Sequence, residues 1–187
     1  MTTICKKIPP KNLIGIRHGQ ALHNVVQPIY GDEAYEHFVD TTLTAKGMQQ
    51  ALNAEKPKVD VVLVSPLMRA LQTANIMYPQ TPTIALECLK EYPQEIEICN
   101  KRSSLSLLKK LFPKVNFNYI LDEEKLWPNT STTPEQNVST FNNFVSSLDQ
   151  EHIAVVTHST WLIYYMTRQI KAEPELNHCF PYKLALM

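Results

Sequence analysis

Two short apolar runs constrain the fold of this 187-residue chain more than any other feature of its sequence. They read VDVVLV at residues 59–64 and IAVVT at residues 153–157. A strand with one solvent-exposed face alternates polar and apolar residues, whereas these runs are almost continuously apolar and rich in Val and Ile. Such runs are typical of strands that are covered on both faces. We therefore expect both to lie in the middle of a largely parallel sheet.

Helix-length amphipathic segments alternate with these runs, and this alternation predicts an α/β fold. Further strands are expected at residues 13–16 and 83–86, with an edge strand at 182–187. Helices are expected at residues 43–55, 66–78, 103–112, 134–150 and 160–171. Thr44 and Ser65 are the expected N-caps of the first two helices, because a hydroxyl can accept a helix N–H. The predicted architecture is a single domain over residues 1–187, a three-layer α/β/α sandwich with a mostly parallel central sheet.

Residues 92–133 are the expected lid or insertion region of this domain. Within them, residues 116–133 contain a DEE run, a Trp-Pro pair and a Ser/Thr cluster, so we interpret them as a loop over one end of the sheet. No internal repeat or low-complexity tract accompanies this region.

The composition excludes several classes of protein. Apolar residues make up 44% of the chain and charged residues 19%, which is the range of globular proteins and not of disordered ones. Lys and Arg total 18, equal to Asp and Glu, so a dedicated nucleic-acid binder is not expected. No apolar stretch approaches the ~18 residues of a membrane span, and residues 1–11 lack the apolar core of a secretory signal. A cytoplasmic protein without a membrane partner is the expectation.

The four cysteines show no metal-binding spacing. Cys5, Cys88, Cys99 and Cys179 form no CxxC pair, so we expect reduced thiols. The acidic run at residues 122–124 has no His or further carboxylate at ligand spacing, so no metal site is predicted there either.

Each of two predicted central strands ends close to a histidine. His18 follows in the run IGIRHGQ, and His158 follows in VVTHS. Ligands bind outside the carboxyl ends of strands in open α/β sheets, so the two side chains point to one site. Arg17 and Arg69, the latter in the first turn after a third strand, would add two guanidinium groups. Arginine forks and helix N-termini both favour phosphate, and such a cationic cup is costly unless an anion fills it.

Several motifs in this order resemble one known family. They are Arg17-His18-Gly19, LTAKG at residues 43–47, SPLMRALQTA at residues 65–74 and Thr157-His158-Ser159. On these motifs the chain resembles the histidine phosphatase superfamily, also called the phosphoglycerate mutase-like family, over about residues 12–165. The resemblance implies phosphoryl transfer without a cofactor or metal.

The resemblance also implies roles for the site residues. His18 would be the nucleophile that takes up the phosphoryl group, and Arg17, Arg69 and His158 would bind the phosphoryl oxygens. A nucleophilic imidazole must be neutral, so an acceptor such as a backbone carbonyl should hold the proton on its other nitrogen. His158 would serve best as a protonated donor.

An acidic residue must protonate the leaving group, and two candidates follow the strand at residues 83–86. The family places this acid in a Leu-x-Glu setting, which here is Leu89-Lys90-Glu91, so Glu91 is assigned as general acid and then as base. Glu87, which directly follows the strand, is the alternative. Tyr92-Pro93-Gln94 replaces the family's commoner Gly-rich sequence after the acid.

Weaker candidates lie on neighbouring segments. Asn24 matches a position that touches phosphate in many members, although a simple turn residue is an equal interpretation, and Gln20 and His23 share its loop. Arg102 is a candidate contact to the body of the substrate. The other histidines, His37, His152 and His178, are interpreted as structural or surface residues.

Three functions remain open from the sequence. The first is a metal-independent phosphatase that acts on a small phosphorylated substrate or a phosphoprotein. The second is a phosphoglycerate mutase-type phosphotransferase, although such mutases are larger than this chain. The third is a catalytically silent phosphate-binding domain, which would not need the nucleophile His18.

Overall fold

Strands and helices alternate along the chain in the computed structural model, which describes residues 11–31, 33, 37–92, 98–121, 132–170 and 176–186. The strands are β1 (Asn12–Arg17), β2 (Val61–Val64), β3 (Thr83–Leu86), β4 (Val115–Tyr119), β5 (His152–Thr157) and β6 (Pro181–Leu184). The helices are α1 (Leu22–Tyr30), α2 (Ala45–Asn53), α3 (Met68–Met77), α4 (Leu105–Leu111), α5 (Pro134–Ser147) and α6 (Ser159–Thr167). Two short 3₁₀ turns lie at Glu87–Leu89 and Ile98–Asn100.

The strands form one sheet in the order β4-β3-β2-β5-β1-β6. Neighbouring strands are parallel except β6, which runs antiparallel to β1 at the edge. The two apolar runs become β2 and β5, which occupy the middle of the sheet, and the prediction for them is confirmed.

Helices cover both faces of this sheet. Val62 and Val64 of β2 pack into an apolar cluster with residues of α2, α3 and α4. Val61 and Leu63, which alternate with them, pack into a second cluster with residues of α5 and α6. The alternation of a strand thus fills two cores, each large side chain contributing about 1.5–3 kcal/mol. This arrangement is the predicted three-layer α/β/α sandwich.

The predicted N-cap Ser65 is wrong, because α3 begins at Met68 and its N-cap is Leu67. The Ser65 hydroxyl still accepts the Leu67 N–H at 3.3 Å, but it also pairs with the ring of His158 at 2.8 Å. The helix therefore starts two residues later than predicted. Thr44, in contrast, is confirmed as the N-cap of α2 and accepts the Gly47 N–H at 3.0 Å.

Part of the predicted loop at residues 116–133 is also wrong. Residues 116–119 belong to β4, an edge strand in which only Phe117 is buried, so its Asn-rich sequence carries little strand signal. Helix α4, within the expected lid or insertion region, contributes Leu105 and Leu108 to the apolar cluster on one face of the sheet. The rest of the expected lid, residues 93–97 and 122–131, lies outside the described residues.

Two further differences from the prediction concern helix α1 and the last strand. Helix α1 is not predicted from the sequence, since it contains Pro28 and exposes Ile29 and Tyr30. The last strand is shorter than expected and begins one residue earlier, at residues 181–184 instead of the predicted 182–187. In the part of the chain described here, no helix has the length and apolar character needed to cross a membrane.

Candidate active site

The parallel pairing of β1 with β5 brings the two strand-end histidines together. Arg17 is opposite Thr157 in this register, and the His18 N–H donates to the Thr157 carbonyl at 3.0 Å. The imidazole rings of His18 and His158 meet edge to face with centroids 5.1 Å apart. The predicted meeting of both histidines at the carboxyl end of the sheet is what the structure contains.

His18 has one ring nitrogen against an acceptor and the other against a donor. Its Nδ1 lies 2.7 Å from the Gly19 carbonyl oxygen, so Nδ1 carries the proton and donates. Its Nε2 accepts from Nε of Arg69 at 3.2 Å, so Nε2 carries the lone pair. Burial, and after it the charges of Arg69 and the neighbouring groups, lower the pKa of His18 well below its ordinary value. The ring is therefore neutral at physiological pH.

His158 is fully buried and offers one ring nitrogen to the site. Its Nε2 pairs with the Ser65 hydroxyl at 2.8 Å, while its Nδ1 has no hydrogen-bond partner among the residues that the structure describes. Burial first, then Arg69, lowers the pKa of His158 well below its ordinary value. Without a bound anion the His158 ring is thus neutral, unlike the protonated donor expected from the sequence. A phosphate dianion beside it would favour the protonated form, because opposite charges raise a histidine pKa.

Two buried arginines complete the cationic cup. Arg69 donates from Nη1 to the Cys99 carbonyl at 2.9 Å and from Nη2 to Oδ1 of Asn100 at 2.8 Å, besides its contact with His18. Arg17 donates from Nη1 to the Leu176 carbonyl at 2.6 Å. Two guanidinium groups next to two desolvated imidazoles form a site that an anion would stabilise.

Two glycines hold the loop after β1 against the start of α2. A Cβ on Gly19 would lie 2.5 Å from the Gly47 carbonyl oxygen, and a Cβ on Gly47 would lie 2.0 Å from the Gln20 carbonyl oxygen. The Gly19 N–H also donates to the hydroxyl of Thr73 at 3.0 Å. The glycines of the RHG and LTAKG motifs therefore exist as a contacting pair, which sets the backbone position of His18.

The Glu91 side chain lies at the N-terminus of α6, the helix that begins directly after His158. Its Oε1 accepts the Tyr92 N–H at 2.9 Å and the Trp161 N–H at 3.1 Å, and its Oε2 accepts the Thr160 N–H at 3.2 Å. Desolvation raises the pKa of Glu91, against these N–H donors and Arg69, which lower it. A raised pKa is what a carboxyl group needs to donate a proton near neutral pH.

Glu87 has a different environment. Its carboxylate pairs with Nζ of Lys90 at 2.7 Å and with Nε of Arg102 at 3.2 Å. Two ion pairs thus occupy Glu87, whereas Glu91 contacts the N-terminus of the helix that follows His158. The geometry thus favours Glu91 over Glu87 as the general acid, and that role stays a prediction.

The weaker candidates are engaged in local contacts. Oδ1 of Asn24 accepts the Ala21 N–H at 2.9 Å at the start of α1, and the Gln20 side chain accepts from the Thr44 hydroxyl at 2.9 Å. Arg102 donates to Glu87 and to the carbonyls of Ser103 and Leu121. These contacts hold the loops in place, and roles of the three residues in ligand binding stay predictions.

The structure adds His178, which from the sequence is interpreted as a structural or surface residue. Its Nδ1 donates to the His18 carbonyl at 2.6 Å, and the two rings have centroids 5.8 Å apart. Next to it, the Cys179 N–H donates to the Arg17 carbonyl at 2.8 Å. This approach depends on the return of the chain into β6 beside β1, so no local pattern in the sequence could reveal it.

His23 is also closer to the nucleophile than its weak sequence signal indicates. Its ring centroid lies 6.0 Å from that of His18, and its Nδ1 pairs with the Thr41 hydroxyl. Burial, followed by Arg69 and Arg17, lowers the pKa of His23 to about 2. Despite this concentration of imidazoles, the described residues contain no group of three or more His, Cys, Asp or Glu arranged to hold a metal ion.

Comparison with known proteins identifies the family of this chain. Residues 13–185 match the histidine phosphatase superfamily (branch 1). Phosphoglycerate mutase-like protein 2 of Arabidopsis thaliana is 27% identical over 79% of this chain, and the match spans 63% of that protein, less than two thirds of its length. A "probable phosphatase" of Schizosaccharomyces pombe is 26% identical over 79% of this chain and 74% of its own.

A solved structure has the same fold. The α-ribazole phosphatase of Shigella flexneri superimposes with a TM-score of 0.55, covering 94% of this chain and 95% of that one at 24% identity. The match of residues 13–185 includes His18, His158 and both arginines of the cup. The chain belongs to the histidine phosphatase superfamily, branch 1.

Proposed function

We propose that this protein hydrolyses a phosphate monoester through a phosphohistidine intermediate on His18, without a metal ion. The observation that carries the proposal is the state of that ring. It is neutral, its Nδ1 proton is held by the Gly19 carbonyl, and its Nε2 faces Arg69. A lone pair next to a guanidinium group is suited to attack a phosphorus atom whose oxygens that guanidinium holds.

In the first step, Nε2 of His18 attacks phosphorus and the bond to the ester oxygen breaks. Arg17, Arg69 and His158 bind the phosphoryl oxygens, and Nε of Arg69 exchanges its contact with Nε2 for one with an oxygen. Glu91 gives its proton to the departing alkoxide. The positive charge that develops on the ring is shared through the Nδ1 proton with the Gly19 carbonyl.

In the second step, Glu91, now ionised, removes a proton from water. The resulting hydroxide attacks phosphorus, the bond to Nε2 breaks, and inorganic phosphate leaves. Glu91 is then protonated and His18 neutral again, so the cycle closes with one water consumed. The four cationic or donor groups compensate the phosphoryl charge and would repel a metal cation, which supports the metal-independent form of the reaction.

The substrate is proposed only by class, as a small phosphorylated molecule or a phosphoprotein. The names of the fission yeast relative and of the Shigella structure support hydrolysis, whereas the name of the Arabidopsis relative refers to a mutase. Cys88, Cys99 and Cys179 are buried free thiols, which supports a reducing compartment such as the cytoplasm.

The test is hydrolysis of para-nitrophenyl phosphate in EDTA by the wild type, His18→Ala and His152→Ala. His152 is a matched control, since it begins the strand that His158 follows and therefore lies ~20 Å away at the other end of β5. We expect turnover by the wild type and the control and none by His18→Ala. Activity that EDTA abolishes, or that survives in His18→Ala, contradicts the proposal.

A parallel assay of phosphoglycerate isomerisation separates the other two functions. Isomerisation that outpaces hydrolysis would establish the mutase. A folded wild type that binds phosphate but transfers none would establish the silent binding domain.

A further inference from the structure

Asp40 is a buried carboxylate that the proposed reaction does not use. Its side chain lies between two segments that are distant in sequence, with Oδ1 accepting the Met68 N–H and Oδ2 accepting the Ser103 N–H, each at 2.7 Å. The residue is only 5% exposed. Each carboxylate oxygen thus fixes one backbone N–H, and Asp40 connects the start of α3 to the segment that follows the 3₁₀ turn at Ile98–Asn100.

Both of these segments adjoin residues that hold Arg69. Met68 precedes Arg69 directly at the start of α3, so the contact of Asp40 fixes the backbone from which the guanidinium extends. The guanidinium itself is bound by the Cys99 carbonyl and by Oδ1 of Asn100. Asp40 therefore closes a ring of contacts in which Arg69 is held at its backbone and at its tip.

Two costs accompany this arrangement. Asp40 has a φ of 40°, the left-handed region that residues other than glycine rarely adopt. Burial raises the pKa of Asp40, although its N–H donors and Arg69 oppose that rise. Such strain and desolvation persist where the surrounding structure enforces them, and they concentrate at functional sites.

We propose that Asp40 is a positioning residue that acts through Arg69, keeping its guanidinium in the orientation that binds a phosphoryl group. This rests on the proposed function only in that Arg69 is taken as a phosphate ligand. A guanidinium fork binds an anion well only when its plane is correctly set, so a small rotation of α3 weakens binding without removing the charge.

A double-mutant cycle on phosphate affinity tests this coupling. The variants are Asp40→Asn, Arg69→Met and the double variant, and the probe is inorganic phosphate, titrated by the NMR shifts of the imidazole signals. We expect Asp40→Asn to weaken phosphate binding about tenfold when Arg69 is present and by less than about twofold in the Arg69→Met background. A merely structural effect of Asp40 would be the same in both backgrounds and would overturn the proposal.

Asp60→Asn is the matched control. Asp60 also accepts a backbone N–H, from His152 at 2.9 Å, but it is exposed and lies at the other end of the sheet. This variant should bind phosphate as the wild type does. Asn100→Ala supplies a second route if Asp40→Asn does not fold, because it loosens the same guanidinium at its tip. Its effect should also vanish in the Arg69→Met background, and persistence there would overturn the proposal.

Failure of the proposed function is distinguishable from failure of this inference. Phosphate binding with the expected coupling but no turnover would reject the hydrolase and leave the role of Asp40 intact. Metal-independent turnover with additive effects of Asp40 and Arg69 would do the reverse. A wild type that does not bind phosphate at all would overturn both.

Discussion

The two ends of β5 carry the same residue type in opposite environments. His152 begins the strand, is 50% exposed and pairs with Asp60 at 3.3 Å, whereas His158 follows the strand and is fully buried. Surface pairs of this kind contribute little to stability, because solvent screens them. The difference shows that a histidine of the same strand region is desolvated at the carboxyl end of the sheet and exposed at the other end.

Two aspartates, Asp60 and Asp40, show the same difference in exposure. Asp60, at the amino end of the sheet, is 46% exposed, and the N–H of His152 together with the ring of His152 lowers its pKa. Asp40, on the side of the site, is buried with a raised pKa, burial being the largest cause. The carboxylate is thus solvated at one end of the sheet and enclosed at the other, where the charge of Arg69 compensates it.

Among substitutions at the carboxyl end of the sheet, replacement of the proposed general acid Glu91 should have the largest effect on turnover. Glu91→Gln should slow turnover of a phosphomonoester with a poor leaving group by about 10²–10⁴-fold, because no proton reaches the alkoxide. Phosphate affinity should be nearly unchanged. Steady-state kinetics with an alkyl phosphate, together with phosphate titration, measures both effects.

Glu87→Gln is the control for this variant, since Lys90 and Arg102 already neutralise Glu87. Its turnover should stay within about threefold of the wild type, the size expected for a residue outside the proton path. A larger loss for Glu87→Gln than for Glu91→Gln would reverse the assignment.

Substitution of His158 and of His152, the histidines at the two ends of β5, gives the next largest contrast in turnover. His158→Gln should reduce turnover by about 10²–10³-fold, the usual loss when one donor to a transition-state oxygen is removed. His152→Gln should have no measurable effect. Equal effects of the two substitutions in the same assay would show that the active site does not lie at the carboxyl end of the sheet.

The buried histidines also predict how stability depends on pH. The pKa values of His18, His23 and His158 are all lowered in the folded protein, so below about pH 6.5 the unfolded chain binds protons that the folded chain does not. The free energy of unfolding should therefore fall with decreasing pH, by about 1.4 kcal/mol per pH unit for each histidine.

Urea unfolding between pH 7 and pH 5, in buffer without phosphate, measures this slope. The slope should become shallower in His23→Gln. A pH-independent stability of the wild type in this window would contradict the desolvation of the site.

The smallest expected effect concerns the contact of the two glycines. Gly47→Ala should destabilise the fold by about 1–3 kcal/mol, because its Cβ would overlap the Gln20 carbonyl. Asn53→Ala, at the exposed far end of α2, should change stability by less than about 0.5 kcal/mol. Thermal unfolding of both variants checks the difference, and tolerance of Gly47→Ala would mean that the loop bearing His18 shifts freely.

The central strands and the cup could be predicted from the sequence for a physical reason. Strands buried on both faces must be continuously apolar, so β2 and β5 are visible, and the residues at their carboxyl ends must then share one crevice. His158 and the segment that bears Arg69 follow from that rule, and His18 follows once β1 is placed beside β5. The same rule does not reach β4, because an edge strand with one buried side chain, Phe117, has no distinctive pattern.

The missed residues depend on contacts between distant segments. His178 reaches His18 only because β6 returns antiparallel to β1, and Asp40 reaches Met68 and Ser103 only through a left-handed backbone conformation. Neither contact has a periodicity or spacing in the sequence. Ser65 shows the opposite case, where a strong local cap signal lost to a contact with His158.

The most direct test of the central claim is to trap the covalent intermediate. The wild type and Glu91→Gln are mixed with para-nitrophenyl phosphate and quenched in alkali, in which phosphohistidine survives, and the phosphorylated peptide is identified by mass spectrometry. We predict one phosphoryl group, on His18, that accumulates further in Glu91→Gln because its water is not activated. A phosphoryl group on another residue, or turnover with no phosphorylated protein in either variant, would contradict the account.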